Sequence, residues 1–224
     1  MSIEQWKNRY TVRQFDKDQI PAKEKIDYIS EVIQYIPSQN GVVDHIWVLL
    51  TPDDIELKQW LVDYAYNVYD DDMTHKEYFT MLSEAPYVFH SIRLISEAFE
   101  KLKRKNTEYF RTNGFHAGVI VCEAVELGLD VAQICCNDGI MSEGYSKQEY
   151  QNLIWNRFGN ELSKIVVNYN GKKINFSKDN IEQPSLSVAV GTGLPLTKHN
   201  WTPYKDGVTF TGQKQKKWFN NLVK

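Results

Sequence analysis

Cysteine is scarce: Cys122, Cys135 and Cys136 are the whole supply in 224 residues. Three thiols build no disulfide framework, and that usage points to a reducing compartment. Long apolar runs are also missing. No stretch approaches the roughly 20 apolar residues a membrane-spanning helix needs. The opening MSIEQWKNRY lacks the apolar core of a secretory signal. A cytoplasmic chain with no membrane partner is therefore expected. Excess positive charge is absent as well. A net charge of −3 excludes a globally basic nucleic-acid binder. The basic stretches Lys101–Lys105 and Lys214–Lys217 read as solvated helix ends, so no nucleic-acid partner is expected.

Familiar motifs fail in turn. Asp70-Asp71-Asp72 lacks the spacing of a calcium loop. Cys135 and Cys136 have no partnering cysteine pair, so no structural zinc site and no other metal is expected. The stretch GTGLPLTK misses the Walker A spacing and does not match the dinucleotide fingerprint. No arrangement suggests a catalytic triad. There is no internal repeat and no low-complexity tract.

What is present is ordinary globular composition, 42% apolar and 13% aromatic. One domain spanning 1–224 is expected. A short helix starts at Ser2, and 9–16 reads as extended. Ile26, Ile29, Ile33 and Ile36 trace one face of a helix that begins after Pro21. A turn at 37–41 leads to a strand over 46–51, then a helix over 55–66. A strand is expected at 85–92. The longest helix runs over 106–128; it is apolar after Phe115 and so expected to be buried, with Gly128 as its cap. A strand follows at 131–136, a helix at 147–158, a hairpin around Asn170-Gly171 and a strand at 185–190. A short helix over 213–224 closes the chain. The order is α+β, a central sheet with buried helices.

Four segments carry candidate chemistry. In Arg9-Tyr10-Thr11-Val12-Arg13, alternation along an extended chain turns 9, 11 and 13 to one side. Two guanidinium forks and a hydroxyl clamp an anion such as phosphate, or simply pair with surface carboxylates. The turn Pro37-Ser38-Gln39 offers hydroxyl and amide groups, or is a plain loop. Gln133-Ile134-Cys135-Cys136 offers extended backbone N–H groups beside a planar ligand, or two buried structural thiols. The glycine-ended strand before Lys198 brings positive charge to its end.

In this order, the segments resemble the nitroreductase family of FMN-dependent oxidoreductases. RYTVRQFD is similar to the family's opening RxSxRxF. YIPSQN followed by IWVLL is similar to its proline–serine turn and strand. GFHAGVIVCEAVELGLDVAQICCND, EAPYVFHSI and SLSVAVGTGLPLTKH are similar to its central helix with the flavin-facing strand, its middle strand and its last core strand. Residues 140–182 have no counterpart and read as an insertion.

The resemblance implies a sandwich with a central, mostly antiparallel sheet flanked by helices. It also implies a homodimer with an exchanged C-terminal arm and FMN at the subunit interface. Arg9, Tyr10, Thr11 and Arg13 would hold the phosphate and the pyrimidine edge. Pro37, Ser38 and Gln39 would come from the other subunit. Gln133, Ile134, Cys135 and Cys136 would lie along the isoalloxazine, with the N–H of Cys135 or Cys136 at flavin N5. Lys198 would add charge at the phosphate. NAD(P)H would be the co-substrate and a nitroaromatic, quinone-like or other small molecule the acceptor, with no side chain as general acid or base. Against the family's PSSxNxQPW turn, the second serine, the asparagine, the glutamine and the tryptophan are replaced here by Gln39, Gly41, Val43 and His45. A degenerate, non-catalytic flavin-binding protein on the same fold is the alternative.

Overall fold

Period-three-to-four apolar spacing at Ile26 and Ile29 produces the first helix, α1 (Lys23–Gln34), and both isoleucines are buried. A computed structural model describes this helix and the rest of residues 12–37, together with 45–68, 79–94, 106–135, 146–169 and 172–194. The helices expected at Ser2 and over 213–224, the Asp70–Asp72 loop and the C-terminal arm lie outside the described residues. Strand β1 (His45–Leu50) follows α1, then helix α2 (Ile55–Val68), the single turn α3 (Met81–Glu84) and strand β2 (Tyr87–Leu94). Helix α4 (Asn106–Glu126) leads to β3 (Asp130–Cys135) and helix α5 (Lys147–Leu162). The expected hairpin forms as β4 (Val166–Tyr169) and β5 (Lys172–Asn175). A short 3-10 turn then feeds β6 (Ile181–Gly191).

The main sheet has the order β1-β2-β6-β3, and every neighbouring pair is antiparallel. Successive side chains alternate between its faces. One face sends Val48, Leu50, Val88, Ile92, Ala132, Ile134 and Ala189 into a core completed by Leu61, Tyr64, Tyr150 and Ile154 from α2 and α5. The other sends Phe89, Val131, Val188 and Val190 against Ile26 and Ile29 of α1 and Ala117, Ile120 and Ala124 of α4. The result is the α+β sandwich that the sequence implied.

Local chemistry sets the element ends. Gly128 takes φ +72°, Leu129 N–H donates to Ala124 O at 2.8 Å, and Gly128 N–H donates to Val125 O at 3.1 Å. That is a Schellman ending, and it stops α4 at Glu126 rather than at Gly128. Lys25 Nζ donates to Leu127 O at 2.7 Å, which ties α1 to the same end. Asp54 precedes α2 and accepts from Thr51 N–H at 2.7 Å, while Arg157 of α5 binds its other oxygen. Burial alone would raise the Asp54 carboxyl pKa, but the bonds from Arg157 and Thr51 outweigh burial and hold it below the usual range.

Four expectations are corrected. Helix α4 is buried on one side only: Gly114, Phe115 and Gly118 face outward, because α1 and the sheet cover just the opposite stripe. Strand β2 starts at Tyr87 rather than Ala85, since the α3 turn closes onto Ala85, whose N–H donates to Met81 O at 3.0 Å. Helix α5 runs on to Leu162, and β6 starts at Ile181 rather than Ser185.

Strand β6 also carries a bulge. His90 pairs with Ser187 but Ile92 pairs with Pro184, so Ser91 faces both Ser185 and Leu186. The extra residue turns Ser185 to the α4 side, where its hydroxyl accepts from Asn113 Nδ2 at 2.9 Å. On the opposite face His90 sits fully buried between Ser187 Oγ (2.9 Å) and Tyr150 Oη (2.7 Å).

Burial pushes the His90 pKa from 6.5 down to about 3. Between those values the unfolded chain binds a proton that the folded chain does not. Stability therefore falls as pH drops from 6.5 toward 3, with a limiting slope of about 1.4 kcal/mol per pH unit from this group. Urea unfolding across that range should show this slope, and the His90→Asn variant should lose most of it. A second test concerns close approach. A Cβ on Gly191 would lie 2.8 Å from Pro86 and 2.9 Å from Phe15. Gly191→Ala should cost about 1–3 kcal/mol in the same assay.

Candidate functional site

Strand β3 forms one edge of the main sheet, and the N-terminal segment lies along it. Val12 N–H donates to Val131 O at 3.1 Å, Asp16 N–H to Thr192 O at 2.8 Å, and Leu194 N–H to Gln14 O at 3.0 Å. Phe15 forms a bridge with Gly193. Asp130 accepts from Gly193 N–H at 2.8 Å, locking the start of β3 to the end of β6. Val12 and Phe15 are buried in the core under this seam. The extended reading of this segment holds for the part described, 12–16.

Beneath the seam, a buried lysine holds the turn against which Phe15 packs. Lys58 Nζ on α2 donates to Ala85 O and Pro86 O, both at 2.9 Å. Burial pushes its pKa down to about 8, against the opposing pull of Asp54 and Asp53. The fixed Pro86 ring and Phe15 leave room at Gly191 only for hydrogen. Arg13 is set in place by this packing, half-buried, with Nη1 3.9 Å from Met81 Sδ.

The hydrogen-bond parity of β3 then matters. A residue in an antiparallel pair points both its N–H and its C=O toward the same side. Val131 O accepts from Val12, so Val131 points away from β6. The register runs without a shift through Cys135, so Gln133 and Cys135 point the same way. Among the described residues, no backbone group pairs with their N–H groups on that open edge. The Gln133 side chain is exposed, while Ala132 and Ile134 beside it are buried.

Pro37 lies elsewhere. Its carbonyl accepts from His116 Nε2 of α4 at 3.4 Å, and His116 Nδ1 is 2.9 Å from His45 Nε2 at the start of β1. Strand β1 is the opposite edge of the sheet. Three strand spacings separate β1 from β3, about 14 Å. One chain thus gathers Arg13, Gln133, Ile134 and Cys135 along one edge and leaves Pro37 on the other side. Arg9, Tyr10, Thr11, Ser38, Gln39, Cys136 and Lys198 lie outside the described residues. Among the described residues, no group of three or more His, Cys, Asp or Glu side chains is placed to hold a metal ion, and no helix is long and apolar enough to cross a membrane.

Sequence reasoning did not find the His45–His116 pair or the Lys58 anchor. Their partners are separated by 71 and by 27 and 28 residues, and no local pattern marks such contacts.

No protein-family model matches the chain, and no curated protein matches it. Solved structures do. An FMN-dependent nitroreductase from Clostridium difficile superposes with a TM-score of 0.53 at 16% identity, covering 94% of this chain and 99% of that one. The hypothetical oxidoreductase YcnD from Bacillus subtilis gives 0.56 at 16%, covering 98% and 78%. A candidate nitroreductase in complex with FMN, from Desulfovibrio desulfuricans, gives 0.50 at 11%, covering 90% and 96%. Matches of this extent, at identities this low, speak for shape alone: the chain has the nitroreductase fold.

Proposed function

We propose that the chain is a flavin-dependent oxidoreductase that binds FMN between two copies of itself. The observation that carries this reading is the fold, shared over nearly the full length of both chains with a protein described as an FMN-dependent nitroreductase. The open β3 edge supports it. Flavin is a flat ring system whose polar edge accepts hydrogen bonds, and this edge presents the Gln133 and Cys135 N–H groups with no described backbone partner. The separation of Pro37 from Arg13 supports the dimer, since a site using both sides of the sheet needs a second copy to bring them together.

In the proposed site, FMN when bound would supply the redox chemistry, hydride transfer between NAD(P)H and a nitroaromatic, quinone-like or other small acceptor. The protein's part is placement. The Cys135 N–H would serve as the donor to flavin N5, from a strand pinned along its length by β6. Arg9, Thr11 and Arg13 hold the phosphate and the pyrimidine edge as charge-assisted donors. Ser38 and Gln39 of the second copy approach the ribityl chain, and Lys198 adds charge at the phosphate. No side chain is required to move a proton. The 140–182 stretch is an insertion on this reading, and its α5 helix supplies Tyr150 to the buried His90.

The test is a visible spectrum of the protein reconstituted with FMN, followed by anaerobic NADH or NADPH. Flavin bands that bleach support the redox reading. Bands that persist favour the degenerate flavin-binding alternative, and failure to retain FMN overturns both. Arg13→Ala should weaken FMN binding about 10- to 100-fold, the worth of a charged hydrogen bond, as read by fluorescence titration.

A further inference from the structure

Two polar atoms on the α4 face of the sheet are buried with no hydrogen-bond partner among the described residues: Ser91 Oγ of β2 and the indole Nε1 of Trp47 in β1. Their residues are direct neighbours. Trp47 pairs with Ser91 across the β1–β2 ladder. Residues opposite each other in an antiparallel pair share a face, with Cβ atoms about 5 Å apart. Trp47 packs with Phe89 and the α4 residues, which fixes that face as the α4 side. Ser91 is 0% exposed, so no bulk water reaches its hydroxyl. A buried polar group left unmatched is costly, and two of them side by side point to a shared partner.

The surroundings are polar, and the ladder is interrupted there. Ser91 is the β2 residue that faces the bulge in β6, opposite both Ser185 and Leu186. A bulge leaves one residue outside the ladder, with backbone groups that need partners as well. Helix α4 covers the place: Asn113 Nδ2 donates to Ser185 Oγ at 2.9 Å, and Asn113 and Thr112 are both buried. His45 meets the Trp47 ring edge-on, 6.3 Å between centroids. An indole N–H only donates, whereas a hydroxyl donates and accepts. A partner common to both must therefore accept from Trp47 and bond in either sense with Ser91. Water is the smallest species that does both, and internal waters characteristically join about three otherwise unmatched buried groups.

We propose that this place is a hydration site: one water, enclosed between β1, the β6 bulge and α4, accepts from the Trp47 indole N–H and shares a hydrogen bond with the Ser91 hydroxyl. Backbone at the bulge supplies its third contact. The site links the edge strand β1 to the middle strand β2 through side chains, on the face that α4 covers. Ser91 is then a ligand rather than a tolerated defect, and the bulge makes room as well as turning Ser185 toward Asn113. None of this depends on the flavin reading.

A crystal structure of the whole chain, fine enough to place waters, should show one within about 3.2 Å of both Ser91 Oγ and Trp47 Nε1. A protein atom in that position, a direct bond between the two side chains, or no density there overturns the proposal. In solution, the Trp47 indole proton should show cross-relaxation with a long-lived water, and its absence counts against the site. Stability gives a third reading. A hydroxyl without a partner loses nothing on removal, so Ser91→Ala would then leave the unfolding equilibrium unchanged or favour the folded chain. A water ligand predicts a shift of about fivefold toward the unfolded chain in urea titration. Trp47→Phe removes the N–H and keeps an aromatic ring. The double variant should lose less than the two single losses together, because one water serves both side chains, and additive losses would contradict a shared site. Should a variant fail to fold, the wild-type crystal structure and the indole proton decide.

Discussion

Strands β2 and β6 run side by side in the middle of the sheet, and helices cover both of their faces. Backbone there has no water to bond, so its pairing must be complete, and polar side chains are under the same pressure, although the Ser91 hydroxyl has no hydrogen-bond partner among the described residues. His90 finds partners in Ser187 and Tyr150, on the α5 side. Asn113 and Ser185 bond to each other on the α4 side. These contacts attach a helix to each face at a defined point. Apolar packing alone tolerates sliding; a buried hydrogen bond of fixed direction does not.

From that centre the outer parts are placed in sequence. Strand β3 takes its register from β6, and the N-terminal segment takes its course from β3 and from the end of β6. Lys58 fixes the turn before β2, and that turn backs the same seam. The proposed cofactor edge is thus joined to the middle of the fold by backbone hydrogen bonds, β6 to β3 and both to the N-terminal segment, with the Lys58 side chain bracing the turn behind them. A substitution at Lys58 or Gly191 acts on the site without touching anything in it.

The fold was largely legible because it is written in periods. Ile26 and Ile29 mark a helix face, and Asn170-Gly171 between β-formers marks a hairpin. The apolar density of α4 was legible too, but not the side it turns outward, because Gly114, Phe115 and Gly118 carry no label for solvent. The candidate site was legible in part. Arg13 and Gln133–Cys135 stood out by residue type and order, and the structure puts them along one edge. Asp54–Arg157, at 103 residues apart, and His45–His116 were invisible, since polar contacts between distant segments leave no spacing to read.

The bulge in β6 has a consequence for chain length. Just upstream of it the parity is reversed, since Pro184 pairs with Ile92 and Ser187 with His90, and a second register shift between Arg93 and Leu94 reverses it again at Ile181. A deletion of one residue between Gln183 and Ser187 would leave composition nearly intact and restore a plain alternation. Residues upstream would keep their faces, but one place opposite Ser91 would have to serve where Ser185 and Leu186 now both turn to the α4 side, so either the Asn113 hydrogen bond or the Leu186 packing would be lost. The number of residues in this strand is therefore under as much constraint as their identity.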